Sequence, residues 1–240
     1  MEIQISFSNF IRSLPKVDLV TYDVGNTHIK KANFKNGSLI DKKTLSSTKD
    51  LKESINSLKD PYVLSSVRNE IHSTFSHRFK SNKFFNMPVL YEESLGNDRL
   101  ITSYLIYNLY KSETILVDFG TFITIDLIDK TGLQGGFILP GLKLLGLTYD
   151  QGEKLQRPSK AYKSQHLNEI NPSFPQNTED AIQNGHNLVV RGITEQIKQL
   201  SQKRELVITG GDAHCFQSAL PYAFHCPDLI HYSMYFQHFN

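Results

Sequence analysis

The alternation of apolar and polar positions divides the chain into short strands and amphipathic helices. Val17–Asp23 is an apolar run that stops at a glycine turn, and His28–Phe34 and Ser38–Leu45 follow it as two further strands. The Asn36-Gly37 pair predicts a tight β-hairpin between them, because both residues tolerate a positive φ. Other runs predict helices over Asp50–Leu58, Glu70–Phe79, Arg99–Tyr110 and Asn177–Gln199, and strands over Pro61–Val67, Val89–Tyr91, Thr114–Asp118, Thr121–Ile128 and Glu205–Ile208. The N-cap of the last helix is predicted to be Asn177 or Thr178.

The strand–turn–strand pattern occurs twice along the chain. Asp and Gly are common turn residues, so the match depends on context, and an apolar strand precedes the Asp in both copies. The sequence therefore predicts two similar α/β domains over residues 17–112 and 113–240, after an N-terminal extension of residues 1–16. The matching pairs, each separated by the same 95 positions, are Asp23 with Asp118, Gly25 with Gly120, and Gly37 with Gly132.

Composition narrows the possible classes of protein. A chain of 240 residues with 39% hydrophobic residues can bury a core and is unlike a disordered segment. No apolar run approaches the ~18 residues of a membrane span, and the N-terminus lacks a signal-peptide pattern, so we expect a cytoplasmic protein that does not bind membranes. Basic residues are dispersed and the net charge is only +2, which gives no support for nucleic-acid binding.

The two cysteines form neither a CxxC motif nor a disulfide framework. Cys215 and Cys226 are adjacent to His214 and His225, so two interpretations remain: part-buried thiols in a reducing compartment, which we favour, or a soft-metal cluster.

Three glycine turns follow strands and are candidate phosphate-binding loops. They are Asp23-Val24-Gly25-Asn26-Thr27, Asp118-Phe119-Gly120-Thr121, and Thr209-Gly210-Gly211. Glycine lets backbone N–H groups approach a phosphate, and an Asp at a strand end can bind a metal ion or its water. Each turn alone is also compatible with an ordinary tight turn, but the three together favour phosphate binding. The sequence contains neither a P-loop nor a Rossmann motif.

Gly96-Asn97-Asp98-Arg99 precedes or opens a predicted helix and has two interpretations. Asp98 is either the helix N-cap or a general base beside an anion-binding guanidinium, and the cap is the commoner case for such a motif.

Taken together, these motifs resemble the type III pantothenate kinases. The motifs occur in the order found in the family, and the resemblance extends over about residues 17–230. It implies a member of the acetate/sugar kinase, heat-shock protein and actin superfamily: an α/β fold of two ribonuclease H-like (actin-like ATPase) domains, with mixed sheets flanked by helices and ATP in the interdomain cleft. The motifs are DVGNT at Asp23–Thr27 with Lys30, GNDR at Gly96–Arg99, DFGTFITIDL at Asp118–Leu127, GGFILPG at Gly135–Gly141, NTEDAIQNG at Asn177–Gly185, and TGG at Thr209–Gly211.

The resemblance also implies an activity, ATP-dependent phosphorylation of pantothenate to 4′-phosphopantothenate in coenzyme A synthesis. Asp98 matches the general base, and Asp118 matches the residue that binds the activating monovalent cation, K⁺ or NH₄⁺. Mg²⁺ accompanies ATP, and family members are commonly cytoplasmic homodimers. The implied ATP contacts are Asp23, Val24, Gly25, Asn26, Thr27, His28, Ile29, Lys30 and Thr121, and the implied pantothenate contacts are Gly96, Asn97, Asp98, Arg99 and Thr178.

The sequence departs from the family pattern at two sites near the motifs. Asn97 occupies a position where the family usually has a small or aliphatic residue, and Phe122 occupies one where it usually has a small residue. Two alternatives stay open: a sugar-type kinase of the same superfamily, which would share the phosphate loops, and a non-catalytic relative, which would be expected to lack Asp98 or Asp118.

Overall fold

The computed structural model describes residues 2–92, 94–110, 112–153, 155 and 174–240. These residues belong to two compact units. The first comprises Met1–Glu113, Asp126–Gly135 and Asp228–Asn240, and the second comprises Thr114–Ile125 and Gly136–Pro227. The domain bounds predicted from the repeat stay a prediction, because compactness in the folded state does not by itself define an independent domain.

The first unit is built on a four-stranded sheet of order β3-β2-β1-β4. β1 pairs antiparallel with β2 and parallel with β4. Asn36 and Gly37 both have positive φ in the turn between β2 and β3, which confirms the predicted hairpin. The strands are β1 (Leu19–Val24), β2 (Ile29–Lys35), β3 (Ser38–Leu45) and β4 (Tyr62–Ser66).

Helices cover this sheet, and their apolar faces make the core of the first unit. The predicted helix near residue 50 is α2 (Thr48–Asn56), which begins where the Ser47 hydroxyl accepts a hydrogen bond from the Asp50 amide. Leu51 of α2 packs on Val20, Tyr22 and Leu64 of the strands. The other helices of this unit are α1 (Glu2–Ser13), α3 (Asn97–Leu109) and α7 (Leu229–His238).

The helix predicted over Glu70–Phe79 is wrong. Ser73 and Thr74 bond to β4 instead: the Ser66 amide donates to the Ser73 hydroxyl at 2.7 Å, and the Thr74 amide donates to the Leu64 carbonyl at 2.8 Å. Hydroxyl side chains that satisfy nearby backbone groups compete with helix formation. A 3₁₀ turn at Ser76–Arg78 follows, and then a small sheet of β5 (Phe79–Lys80), β6 (Lys83–Phe84) and β7 (Met87–Pro88). The predicted strand over Val89–Tyr91 is reduced to one bridge, from Val89 to Leu133.

The second sheet has five strands in the order β10-β9-β8-β11-β12. β11 is parallel to β8, as β4 is to β1, and the first three strands of each sheet lie in the same order. The topology therefore agrees with the repeat seen in the sequence. The strands are β8 (Thr114–Phe119), β9 (Phe122–Asp129), β10 (Gly132–Pro140), β11 (Glu205–Thr209) and β12 (Phe224–His225), and the helices are α4 (Leu142–Leu147), α5 (Thr178–Leu200) and α6 (Ala213–Phe216).

The long helix α5 begins where the sequence predicted. The Asn177 side chain accepts a hydrogen bond from the Asp180 amide at 2.9 Å, so Asn177, and not Thr178, is the N-cap. The polar, proline-containing sequence from Gly152 to Pro175 predicts a region rich in loops, and most of that region lies outside the described residues. None of the helices in the described segments combines the length and the apolar character needed to cross a bilayer.

Candidate active site

The first candidate loop is the turn between β1 and β2. Asp23 and Val24 end β1, and Ile29 and Lys30 begin β2, with Asp23 opposite Lys30 in the register. The Gly25 amide donates to the His28 carbonyl at 3.0 Å and closes the turn. The tip residues Asn26, Thr27 and His28 are exposed, so the predicted phosphate loop is a short turn open to solvent.

Arg68 is hydrogen-bonded to this loop, and the sequence analysis did not identify it as a site residue. Its Nε donates to the Gly25 carbonyl at 2.9 Å and its Nη2 donates to the Asn26 carbonyl at 3.4 Å. Arg68 follows β4, whose register runs parallel to β1, so the fold itself brings it to the loop. The available signal in the sequence was a lone cation directly after a buried strand, at the same strand end as Asp23. The guanidinium fixes the loop and adds positive charge beside it.

The segment Gly96–Arg99 opens α3, with Gly96 and not Asp98 as the N-cap. The helix begins at Asn97, whose side-chain amide donates to the Ser66 carbonyl at 3.2 Å and ties the helix start to β4. The N-cap interpretation of Asp98 is therefore wrong. A Cβ atom on Gly96 would lie 2.6 Å from Asp98 Oδ1, so the glycine leaves space in which the carboxylate folds back.

Asp23 and Asp98 lie close enough to influence each other's charge. Burial raises the pKa of Asp23 to about 6, the Lys30 ammonium opposes that rise, and the Asp98 carboxylate adds to it. Burial also raises the pKa of Asp98, against the hydrogen bond that the Arg99 amide donates to Asp98 Oδ1 at 2.8 Å. A carboxylate with a raised pKa is a better proton acceptor near neutral pH, which suits a general base.

Arg99 is bound by a partner that the sequence interpretation did not single out. Its Nε lies 3.1 Å from both carboxylate oxygens of Asp126, and its Nη2 donates to Oδ1 of the same group. The ring of Tyr91 lies 4.8 Å from the guanidinium carbon. Both residues are buried: Arg99 is 5% exposed and Asp126 is 1% exposed. The Arg99 guanidinium is therefore paired with the Asp126 carboxylate inside the protein.

In the second unit, glycines converge on the carboxyl end of β8. Asp118 pairs in register with Thr209 of β11, and Gly210 follows with a φ of +94°. A Cβ atom on Gly210 would lie 2.4 Å from Asp118 Oδ1, and one on Gly141 would lie 2.3 Å from the Gly120 carbonyl oxygen. The Gly141 amide also donates to the Thr121 carbonyl at 3.0 Å. Two of the three predicted glycine turns therefore meet at one strand end.

Asp118 contributes a carboxylate at this strand end. Carboxylate oxygens are donors that hard cations prefer. Across the described part of the chain, no three His, Cys, Asp or Glu side chains converge as a metal site would require. Cys215 and Cys226 are buried and not disulfide-bonded, so the soft-metal interpretation gains no support.

The structure groups the predicted residues within each unit. Asp23, Lys30, Asp98 and Arg99 belong to the first unit, and Asp118 and Thr121 belong to the second. Thr178 is exposed at the first turn of α5, on a separate element of the second unit.

Comparison with solved structures identifies the fold class. A Campylobacter jejuni protein described as a conserved Baf family transcriptional activator matches with a TM-score of 0.61 and 24% identity, over 90% of this chain and 94% of that one. The activator of the 2-hydroxyisocaproyl-CoA dehydratase from Clostridium difficile, with bound ADPNP, matches with a TM-score of 0.53 and 13% identity, over 90% and 91%. The predicted fold class is confirmed: mixed sheets flanked by helices in the actin-like ATPase fold.

Within that class, the sequence identifies the family. The model of the type III pantothenate kinases matches residues 61–202. The type III pantothenate kinase of Helicobacter pylori strain J99 is 29% identical over 212 residues, which cover 86% of this chain and 84% of that protein. The chain belongs to the type III pantothenate kinase family, as its motifs indicated.

Proposed function

We propose that this protein is a pantothenate kinase that transfers the γ-phosphoryl group of ATP to the primary hydroxyl of pantothenate. The product would be 4′-phosphopantothenate, in the first step of coenzyme A biosynthesis. The observation that carries the proposal is Asp98: in a chain of this family, it combines a raised pKa with a position at the start of α3. A sugar-type kinase is not favoured, because the family match over residues 61–202 includes the Gly96–Arg99 and Asn177–Gly185 motifs as well as the Asp118 loop.

Asp98 is the proposed general base. Its carboxylate would accept the proton of the substrate hydroxyl while that oxygen forms a bond to the γ-phosphorus. The bond from the γ-phosphorus to the bridging oxygen breaks, and ADP leaves with the electron pair. Proton acceptance requires the carboxylate within about 2.6–3.2 Å of the hydroxyl in the substrate complex.

The proposed ATP contacts are the β1–β2 loop from Asp23 to Lys30, and Thr121. Gly25 lets a phosphate approach the main chain of this loop without a Cβ clash, and Lys30 offers an ammonium beside Asp23. Mg²⁺ bound to the nucleotide would neutralise charge that develops on the phosphoryl group, and Asp23 is the loop carboxylate suited to its water shell. Asp118 is the proposed ligand of a monovalent cation, K⁺ or NH₄⁺.

Gly96, Asn97, Asp98, Arg99 and Thr178 are the proposed pantothenate contacts. Because Asp126 engages the Arg99 fork, we propose that the Gly96–Arg99 segment contacts the substrate through its main chain and through Asp98. Thr178 offers a hydroxyl at an exposed helix start, where an anionic group is favoured.

We further propose a cytoplasmic homodimer. Phe137 and Ile138 on the edge strand β10 are 58% and 56% exposed, and Leu188 and Val189 on α5 are 61% and 48% exposed. Exposed apolar side chains on neighbouring positions of one element are candidates for protein interfaces. Light scattering should give twice the chain mass for the native protein and the monomer mass for Phe137→Asp.

A coupled assay of ADP release tests the activity. With Mg²⁺-ATP and pantothenate, we expect turnover in K⁺ that falls when Na⁺ replaces it. Asp98→Asn should lose at least ~100-fold in kcat and retain ATP binding, since general-base catalysis typically contributes that much. Asp129→Asn makes the same charge change at the end of β9 and should leave the rate unchanged. Absence of pantothenate-dependent turnover in K⁺ would refute the proposed activity, and full turnover of Asp98→Asn would refute the base.

A further inference from the structure

Asp126 is a buried carboxylate in the middle of a strand, and the proposed reaction gives it no role so far. It lies in β9 and is 1% exposed. Its flanking residues, Ile125 and Leu127, are apolar. Burying an ion pair costs several kcal/mol of desolvation unless the geometry is good, and apolar side chains of similar volume often give equal stability. The pair that Asp126 forms with Arg99 is therefore weak as an explanation of stability alone.

The contacts form a chain from Asp126 to the proposed base. The Asp126 carboxylate holds the edge of the Arg99 guanidinium formed by Nε and Nη2, and Tyr91 covers one face of it. With one edge and one face fixed, Arg99 has little freedom to rotate. Its main-chain amide donates to Asp98 Oδ1 at 2.8 Å. Asp126 thus acts on the Asp98 carboxylate through one intervening residue.

The charged groups that interact with Asp98 come from three elements. Asp23 on β1 and Asp126 on β9 are carboxyl groups, and Arg99 on α3 is the cation. Lys30 on β2 acts on Asp23. In this arrangement Asp126 neutralises the cation nearest to the base. Without the Asp126 charge, Arg99 would act on Asp98 unopposed, would stabilise its ionised form and would make it a weaker proton acceptor.

We propose that Asp126 is a positioning residue for Asp98: it fixes the Arg99 guanidinium and balances its charge, so that Asp98 keeps the orientation and basicity of a general base. Arg99 consequently acts through Asp98 and not as a direct ligand of the substrate carboxylate. The role of Asp98 as the base rests on the proposed function. The coupling between Asp126 and Asp98 does not depend on it.

The coupling can be measured on the protein without substrate. Asp98 is observed by carbon-13 NMR after labelling of aspartate side-chain carboxyls, with its signal identified from its loss in Asp98→Asn. Asp126→Asn is nearly isosteric and should lower the titration midpoint of Asp98 by about one pH unit, as expected for a nearby charge. Asp129→Asn, the same change three residues along β9, should leave the midpoint in place. Equal midpoints in wild type and Asp126→Asn would overturn the proposal.

A second variant guards against misfolding of Asp126→Asn, which leaves a buried cation unpaired. Arg99→Lys keeps the charge pair and removes only the planar fork. If Arg99 positions the base, kcat should fall by about tenfold or more, with the KM for pantothenate nearly unchanged. A raised KM for pantothenate with an unchanged kcat would identify Arg99 as a direct substrate contact and overturn its positioning role.

The two proposals fail separately. A chain that does not phosphorylate pantothenate but shows the shifted Asp98 midpoint would refute the activity and support the coupling. An active kinase whose Asp98 midpoint is unchanged in Asp126→Asn would support the activity and refute the coupling.

Discussion

The two adjacent glycines of the Thr209-Gly210-Gly211 turn should respond very differently to the same substitution. Gly210 has a φ of +94°, and its Cβ position lies 2.5 Å from the Phe119 carbonyl carbon and 2.6 Å from the Phe119 amide nitrogen. Both are backbone atoms of β8 that cannot rotate away. Gly211 has no atom within 4 Å of its Cβ position. Gly210→Ala and Gly211→Ala therefore form a matched pair within one turn.

The magnitude follows from two independent costs. Placing an alanine in the left-handed region costs about 1–2 kcal/mol. Forcing the methyl group into a packed backbone costs about a further 1–3 kcal/mol. The free energy of unfolding should fall by about 2–5 kcal/mol, a large share of the about 5–15 kcal/mol typical of a domain. At about 2–4 °C per kcal/mol for a chain of this size, Gly210→Ala should lower the Tm by about 10 °C.

Calorimetry of both variants measures this difference, and the kinase assay adds a second readout. The new methyl group would also displace the Asp118 carboxylate, since Oδ1 lies 2.4 Å from the Cβ position. We therefore expect Gly210→Ala to lose the difference in rate between K⁺ and Na⁺, whereas Gly211→Ala keeps it. A Gly210→Ala protein that melts with the wild type would refute the argument from backbone space.

Three further predictions concern the first unit. Burial raises the pKa of Asp23 to about 6, so the ionised carboxylate destabilises the folded chain above that pH and has no such effect below the ordinary aspartate pKa. Asp23→Asn should therefore raise the Tm at neutral pH but not near pH 4. Equal gains in Tm at both pH values would contradict this reasoning. Phe10→Ala in α1 should lower the free energy of unfolding by about 3–5 kcal/mol, measured with urea, because the centre of the buried Phe10 ring lies 5.5 Å from that of Phe236. Asn9→Ala on the exposed side of α1 should leave the free energy nearly unchanged. Similar losses in the two variants would mean that α1 does not pack on the core. Arg68→Ala should raise the KM for ATP by about tenfold, because the β1–β2 loop loses a hydrogen-bond donor that holds it. Arg78→Ala, at a residue that contacts the Phe85 ring, is the control. An unchanged KM in Arg68→Ala would show that Arg68 does not support the loop.

Local patterns in the sequence predicted the elements whose signals lie within a few residues. The Asn36-Gly37 turn, the cap at the start of α5 and the apolar strands β1 and β8 were all recognisable, because turn chemistry and short apolar runs are local signals. The helix predicted over Glu70–Phe79 failed for the opposite reason. Its Ser73 and Thr74 are satisfied by β4, a partner that local propensity cannot specify.

The candidate site shows the same limit at the level of single side chains. Asp23, Asp98 and Asp118 stood out because each belongs to a glycine-containing motif. Arg68 and Asp126 belong to no such motif, and their importance depends on what the fold brings beside them. An aspartate between two isoleucine or leucine neighbours in a predicted strand is nevertheless an unusual sequence feature, and it could have flagged Asp126 as a buried charge in need of a partner.

The position of α7 has a consequence for the order in which the protein is made. This helix completes the first unit from the far end of the chain: His231 Nδ1 lies 2.8 Å from the Thr21 hydroxyl, the Gln237 side-chain amide donates to the Ile101 carbonyl, and the Tyr235 hydroxyl donates to the Pro15 carbonyl. Thr21 and His231 are 210 residues apart. While the ribosome is still making the second sheet, the surface that α7 covers must stay open. The first unit to be synthesised is thus completed last, and a messenger truncated shortly before α7 would yield a chain with its earliest-made core uncovered.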